Sequence, residues 1–242
     1  MGTQAAYRLE GAVATITLDD RKVNVMSPRM IADINAALDR AAADGAAIVL
    51  TGRPGVFSAG FDLLTLRGGG APAADMVEAG FELAARVLSF PAPVVMACSG
   101  HAIAMGLFLL LAGDYLIGAD GPYKFTANEV AIGITMPRTA IEMLRHRLTP
   151  AAYLRALTLA EPFTPATATA AGFLDEVVPA GALAGAARDR AVALAGLDRD
   201  ALAASKQRVR ARQVRAVQEA IEADRAEGVG PAGPAGRPGA PA

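Results

Sequence analysis

Apolar and polar residues alternate along Ala12 to Leu18, with Ala14, Ile16 and Leu18 on one face and Val13, Thr15 and Thr17 on the other. A period of two predicts a half-buried strand. The period then lengthens. Ser27-Pro28 offers an N-cap and a proline for the first helical position, and Met30, Ile31, Ile34, Ala37, Leu38 and Ala41 follow at helical spacing until Gly45. Ala47 to Thr51 reads as a buried strand running into the loop 52–62.

Arg67 to Ala74 is rich in glycine and alanine and is expected to be a mobile loop, with Gly68-Gly69-Gly70 as a flexible lid. A helix is predicted over Asp75 to Ser89 and a second strand over Val94 to Cys98, broken by Gly100. An apolar helix follows from about Ala104 to Ala112, then short strands at Tyr115 to Ile117 and Tyr123 to Phe125. Thr149-Pro150 and Thr164-Pro165 repeat the cap-plus-proline signature, and Leu183 to Ala195 and Ala201 to Glu222 read as helices. Strands thus alternate with helices to about residue 126 and helices dominate afterwards, which predicts an α/β body with a helical C-terminal region. The expected division is a core over 1–195, a helical segment over 196–225, and a Pro/Gly/Ala tail over 226–242 that has little to bury.

Composition narrows the function. In 242 residues, 53% are hydrophobic and 19% charged, which excludes disorder of the whole chain. A net charge of −1 gives no electrostatic case for nucleic acid or an anionic membrane as the main partner. Ile103 to Ala112, the longest apolar run, is too short to span a bilayer. The N-terminus lacks the pattern of a secretory signal. With Cys98 as the single cysteine, the expectation is a cytoplasmic protein without disulfides. His101 and His146 stand far apart without cysteine partners, so no metal site is expected. Ser58 and Ser99 lie outside any G-x-S-x-G context.

Two segments carry candidate chemistry. Phe57-Ser58-Ala59-Gly60-Phe61-Asp62-Leu63 ends a buried strand. Pro93 to Gly106 is a strand leading to the N-terminus of an apolar helix. Small residues at such turns let backbone approach a ligand, and first-turn N–H groups of a helix have no internal partner. One N–H from each turn can bracket a carbonyl oxygen as it becomes an oxyanion.

These segments resemble the crotonase (enoyl-CoA hydratase/isomerase) superfamily. Phe57 to Leu63 is similar to its F-x-A-G-x-D-hydrophobic motif, and residues 92–118 to its P-V-x-A-x-x-G-x-x-x-G-G-G stretch. The resemblance covers Tyr7 to the C-terminal helices and implies a spiral of ββα units. It also implies an acyl-CoA thioester as substrate, no cofactor beyond that coenzyme A, and a homotrimer or dimer of trimers. Carried across, the oxyanion-hole amides fall on Phe61 and Met105, the latter where the family usually has a glycine. Ala59, Gly60, Leu63, Gly106 and Phe108 fall on substrate-binding positions, with the carbonyls of Ala59, Phe61 and Leu63 along the adenine and pantetheine path.

The chain departs from the pattern at its acids. Family hydratases carry two glutamates; here one position is Phe108 and the other is Glu129, in Ala127 to Gly133. A single carboxylate can still abstract an α-proton or shuttle one between carbons, and the apolar flanks of Glu129 should raise its pKa. Isomerisation of 3-enoyl to 2-enoyl-CoA therefore fits better than hydration. Two alternatives stay open: a hydratase that recruits Asp75, Glu78 or Glu82 as second acid, and a non-catalytic acyl-CoA binder. Lys206 to Arg215 reads as a solvated helix face, or as cations within reach of a coenzyme phosphate.

Overall fold

The computed structural model describes residues 2–227. β1 (Ala5–Glu10) and β2 (Val13–Leu18) pair antiparallel, with Tyr7 opposite Ile16. β3 (Ala47–Thr51), β5 (Val94–Cys98), β7 (Tyr115–Ala119) and β9 (Glu176–Val178) extend this pair into a six-stranded sheet, parallel beyond β2 and ordered β1-β2-β3-β5-β7-β9. β4 (Gly55–Ser58), β6 (Gly100–Ile103) and β8 (Phe125–Thr126) form a second, parallel sheet. Each consecutive pair, β3–β4, β5–β6 and β7–β8, therefore sends one strand to each sheet. A helix follows each pair: α2 (Leu63–Gly68) with α3 (Gly70–Leu88), then α4 (Met105–Leu111), then α5 (Arg138–Arg145). The expected ββα spiral is present.

Local chemistry explains the first helix. In α1 (Pro28–Asp44) the Met30 N–H donates to Ser27 Oγ at 3.1 Å, a cap worth about 1 kcal/mol. Gly45 stops the helix in the left-handed conformation, and the six apolar residues read from the spacing are the buried face. The alternation in β2 is likewise real: Ala14, Ile16 and Leu18 join the main core, while Val13 faces a second cluster. That second cluster is covered by Leu183, Ala187 and Ala191 of α8 (Leu183–Ala195), whose bounds match the expectation. α6 (Pro150–Leu159) and α7 (Pro165–Ala171) start at their Thr-Pro signatures.

β5 ends at Cys98 as expected, and Gly100 pairs with Gly55 to open β6 in the second sheet. Three expectations need correction. Arg67 to Ala74 is helical apart from Gly69, which separates α2 from α3. Asp62 caps α2 by accepting from the Leu64 N–H at 3.2 Å and the Thr65 hydroxyl at 2.9 Å, and buried Ala73 and Met76 tie down the first turns of α3. The last helix, α9, runs over Arg199–Glu227, so the boundary at 225 falls inside it; residues 228–242 of the expected tail lie outside the described residues.

The third concerns the basic run on α9, which is not wholly a solvated face. Lys206 Nζ reaches Asp114 Oδ2 at 2.7 Å and the Ala92 carbonyl at 3.3 Å. Arg210 reaches Asp114 Oδ1 at 3.0 Å and the carbonyls of Leu88 and Gly113 at 2.8 and 3.1 Å. Asp114 also accepts from the Val94 N–H at 2.7 Å. Burial lowers the Lys206 pKa, against the pull of Asp114 upward. One carboxylate thus ties α9 to the start of β5 and the end of α4. Among the described residues no helix is long and apolar enough to cross a membrane.

Asp114→Ala would leave two largely buried cations uncompensated and should cost about 3–5 kcal/mol. Replacing Lys206 by Met keeps the Asp114–Arg210 pair and should cost markedly less. Urea denaturation of both variants checks the order.

Candidate active site

β4 and α4 meet at their ends, and this contact builds the site. A Cβ on Gly106 would lie 2.5 Å from the Ser58 carbonyl oxygen and 2.6 Å from Ser58 Cβ. Only glycine lets the helix start this close to the strand end. Gly60, at φ +89°, turns the first segment beneath the second; a Cβ there would lie 3.4 Å from the Met105 nitrogen. The two motifs, some forty residues apart in sequence, therefore share one turn-on-turn contact. Ala104 bears the strain of that junction, with φ +47° and ψ −123° in a non-glycine residue, a conformation costing of order 1–3 kcal/mol.

A third segment braces the first. Asn24 is fully buried and donates from Nδ2 to the Leu18 and Phe57 carbonyls at 3.0 and 3.1 Å. Its own carbonyl accepts from Ser58 Oγ at 2.7 Å, and the Ala59 and Met26 N–H groups bond to the Val23 and Gly60 carbonyls. Ser58 is thus a buried structural hydroxyl. The sequence reading missed Asn24, although the polar cluster Asp19, Asp20 and Asn24 between a strand and a helix cap was a visible turn signal.

Within this frame neither the Phe61 nor the Met105 N–H donates to a backbone acceptor among the described residues. Their side chains turn towards α3, where a Cβ on Gly80 would meet Phe61 Cε1 at 2.4 Å and Met105 Sδ at 3.6 Å. A methionine is tolerated where the resembling motif has glycine because its side chain is buried in the core. Two unengaged N–H groups on adjoining turns are what an oxyanion hole requires.

Beside them lies a cavity of about 180 Å³. Ala59, Phe61, Leu63, Phe108 and Glu129 line it, together with Leu66, Val77, Phe81, Ala104, Asn128, Ile132, Ile134 and Pro137. Gly60, Met105 and Gly106 do not line it. Gly106 in particular is pressed on Ser58. Phe108, at the position of the absent glutamate, stacks on Phe81 with ring centroids 6.0 Å apart, and Phe81 meets Phe61 edge-on at 6.0 Å. That side of the cavity is closed by aromatic rings.

Glu129 is 7% exposed, and its Oε2 has no hydrogen-bond partner. It does not cap the short 3-10 turn Val130–Ile132 that follows it. Burial pushes its carboxyl up to about 7, against a smaller downward pull from its own backbone N–H. Asp75, Glu78 and Glu82 do not line the cavity: Val77 and Phe81 take the inward face of α3, and Glu78 instead pairs with Arg225 at 2.9 Å. Cys98 is buried with its thiol pushed up to about 12, and His101 Nδ1 accepts from the Lys124 N–H at 3.1 Å, so neither enters the chemistry. Among the described residues no cluster of three or more His, Cys, Asp or Glu side chains could hold a metal.

Residues 8–227 match the profile of the family described as enoyl-CoA hydratase/isomerase. The chain belongs to this family. Its fold is the crotonase fold, and it is an enzyme of the enoyl-CoA hydratase/isomerase type. A solved protein of Mycobacterium tuberculosis, called an enoyl-CoA isomerase in one structure and a probable enoyl-CoA hydratase in another, is 46% identical in the first, with a TM-score of 0.90 over 94% of this chain and 99% of that one. An enoyl-CoA hydratase/isomerase family protein of Pseudomonas syringae is 44% identical, with a TM-score of 0.91 over 93% of this chain and 98% of its own. Mouse mitochondrial enoyl-CoA delta isomerase 1 is 34% identical over 172 residues, 69% of this chain; the match spans only 60% of that relative's length.

A raised carboxyl pKa has a definite sign in stability. Between about 4.5, the ordinary value, and about 7 the folded state holds a proton that the unfolded chain releases, so this group's contribution falls as pH rises through that window. Glu129→Gln should therefore be more stable than wild type at pH 8 by roughly 1–3 kcal/mol, and the gap should close below about pH 4.5. Thermal unfolding at the two pH values checks it.

Proposed function

We propose that the enzyme moves the double bond of a 3-enoyl-CoA to the 2-position, with Glu129 as its single proton carrier. The reading rests on one observation: among the described residues that line the cavity there is one carboxyl, buried, unpartnered at Oε2 and pushed up to about 7, in a lining that includes three phenylalanine rings. Glu129 in its ionised form takes a proton from C2, and the electron pair spreads over C2 to C4 and the thioester oxygen. The Phe61 and Met105 N–H groups hold the developing negative charge on that oxygen. The protonated Glu129 then returns its proton at C4, and the double bond now joins C2 and C3. A carboxyl near neutrality suits both halves, since it must first accept and then give up the same proton.

Hydration would need a second group to activate water. Phe108 stands where family hydratases carry that glutamate, and the three candidate substitutes lie off the cavity. The substrate is read as an acyl-CoA thioester, with no cofactor besides its own coenzyme A.

We also propose a homotrimer or dimer of trimers. The support is a surface groove between α8 and α9 that includes Leu194, Leu197, Leu202 and Val209, of which Val209 is 83% exposed.

Three outcomes are expected. Glu129→Gln should lower 3-enoyl-CoA turnover roughly a hundredfold or more while binding a saturated acyl-CoA as wild type does. Wild-type kcat/KM should rise with pH through about 7. Near wild-type turnover of the variant would refute the assignment. Light scattering at micromolar concentration should give a trimeric or hexameric mass, and a monomeric mass would refute the assembly.

A further inference from the structure

The segment that carries Glu129 meets the rest of the fold at its two ends and, through the turn Val130–Ile132, along α6. Asn128, Glu129, Ile132, Ile134 and Pro137 of this segment line the cavity. Val130 and Ile132 are about half exposed, and its internal backbone bonds, such as Ile134 N–H to the Glu129 carbonyl at 2.9 Å, close the turn on itself. At one end it leaves β8. At the other it runs through cavity-lining Pro137 into the N-terminus of α5.

That N-terminus has no cap of its own, because Pro137 stands at the cap position. The cap comes from α9. Asp224, only 5% exposed, accepts from the Arg138 N–H on Oδ1 at 3.0 Å. On Oδ2 it accepts from the Thr139 N–H at 2.9 Å and the Thr139 hydroxyl at 2.7 Å. Thr139 is fully buried, and Arg138 also pairs with Glu227 one turn further along α9. A carboxylate at a helix N-terminus satisfies free N–H groups and meets the positive end of the helix dipole. The next residue of α9, Arg225, makes a surface pair with Glu78 of α3 at 2.9 Å.

We propose that Asp224 is a positioning residue for Glu129: by capping α5 from the last helix, it sets where the segment 128–137 stands and so aims the carboxyl at the substrate carbon. This rests on the reading of Glu129 as proton carrier. Asp224 touches no substrate and moves no proton. Its effect is geometric, and a displacement of about 1 Å at a reacting group is enough to cost on the order of a hundredfold in rate.

The test is a double-mutant cycle on the full chain, reading 3-enoyl-CoA turnover and α-proton exchange of a saturated acyl-CoA in heavy water. Asp224→Ala should lower kcat ten- to a hundredfold, with the affinity for the saturated acyl-CoA changed less than threefold. Asp224→Asn keeps the shape and one acceptor oxygen and should recover part of the loss. In the Glu129→Gln background, Asp224→Ala should cost less than twofold more, because an unaimed group and an absent one do the same work. A loss that multiplies in full on Glu129→Gln, or wild-type kcat in Asp224→Ala, overturns the inference. If the alanine variant does not fold, the asparagine variant is run through the same cycle with the same criterion. Wild-type turnover of Glu129→Gln alone would instead overturn the functional reading beneath it.

Discussion

The contact of Gly106 with the backbone of Ser58 is the constraint on which the site depends. It brings the end of one strand and the start of one helix, drawn from different turns of the spiral, to within a side chain's thickness of each other. The N–H groups of Phe61 and Met105 meet at this junction as backbone, so the side chains of both are free to pack towards α3 instead. The strain at Ala104 and the bracing by Asn24 both follow from that closeness. One is the conformational cost of the junction. The other is the hydrogen bonding that keeps it shut.

A second consequence concerns polarity. Ionising a desolvated carboxyl is unfavourable, and the fold places nothing polar on Glu129 Oε2 to ease it. The aromatic group Phe61, Phe81 and Phe108 reinforces this by keeping much of the cavity lining apolar. The result is an acid strong enough to donate and a base strong enough to accept near neutral pH, obtained by burial alone.

Much of this was legible in the sequence where a pattern is long or chemically distinctive. α1, β3, β5 and α8 follow from spacing and capping residues, and both motifs point to the turns that adjoin. The short strands of the second sheet and β9 were partly or wholly missed because two to four residues are too few to display a period. The segment over Arg67 to Ala74 misled because glycine and alanine are read as breakers or as formers according to what they pack on, and Met76 and Ala73 decide that only in three dimensions. The basic run of α9 misled for the same reason: Lys206 and Arg210 look solvated until Asp114, some ninety positions earlier, is placed beneath them. Asp224 carries no local signal at all, since the helix it caps begins 86 positions away.

The placement of α9 also orders events in time. Residues 199–227 are the last of the described chain to leave a ribosome, yet they supply the partner for Asp114, the partner for Glu78 and the cap of α5. Until they emerge, Asp114, Glu78 and the N-terminus of α5 stand without these partners. Two helices that line the cavity or lead from it, α3 and α5, thus receive their last attachments from the end of the described chain.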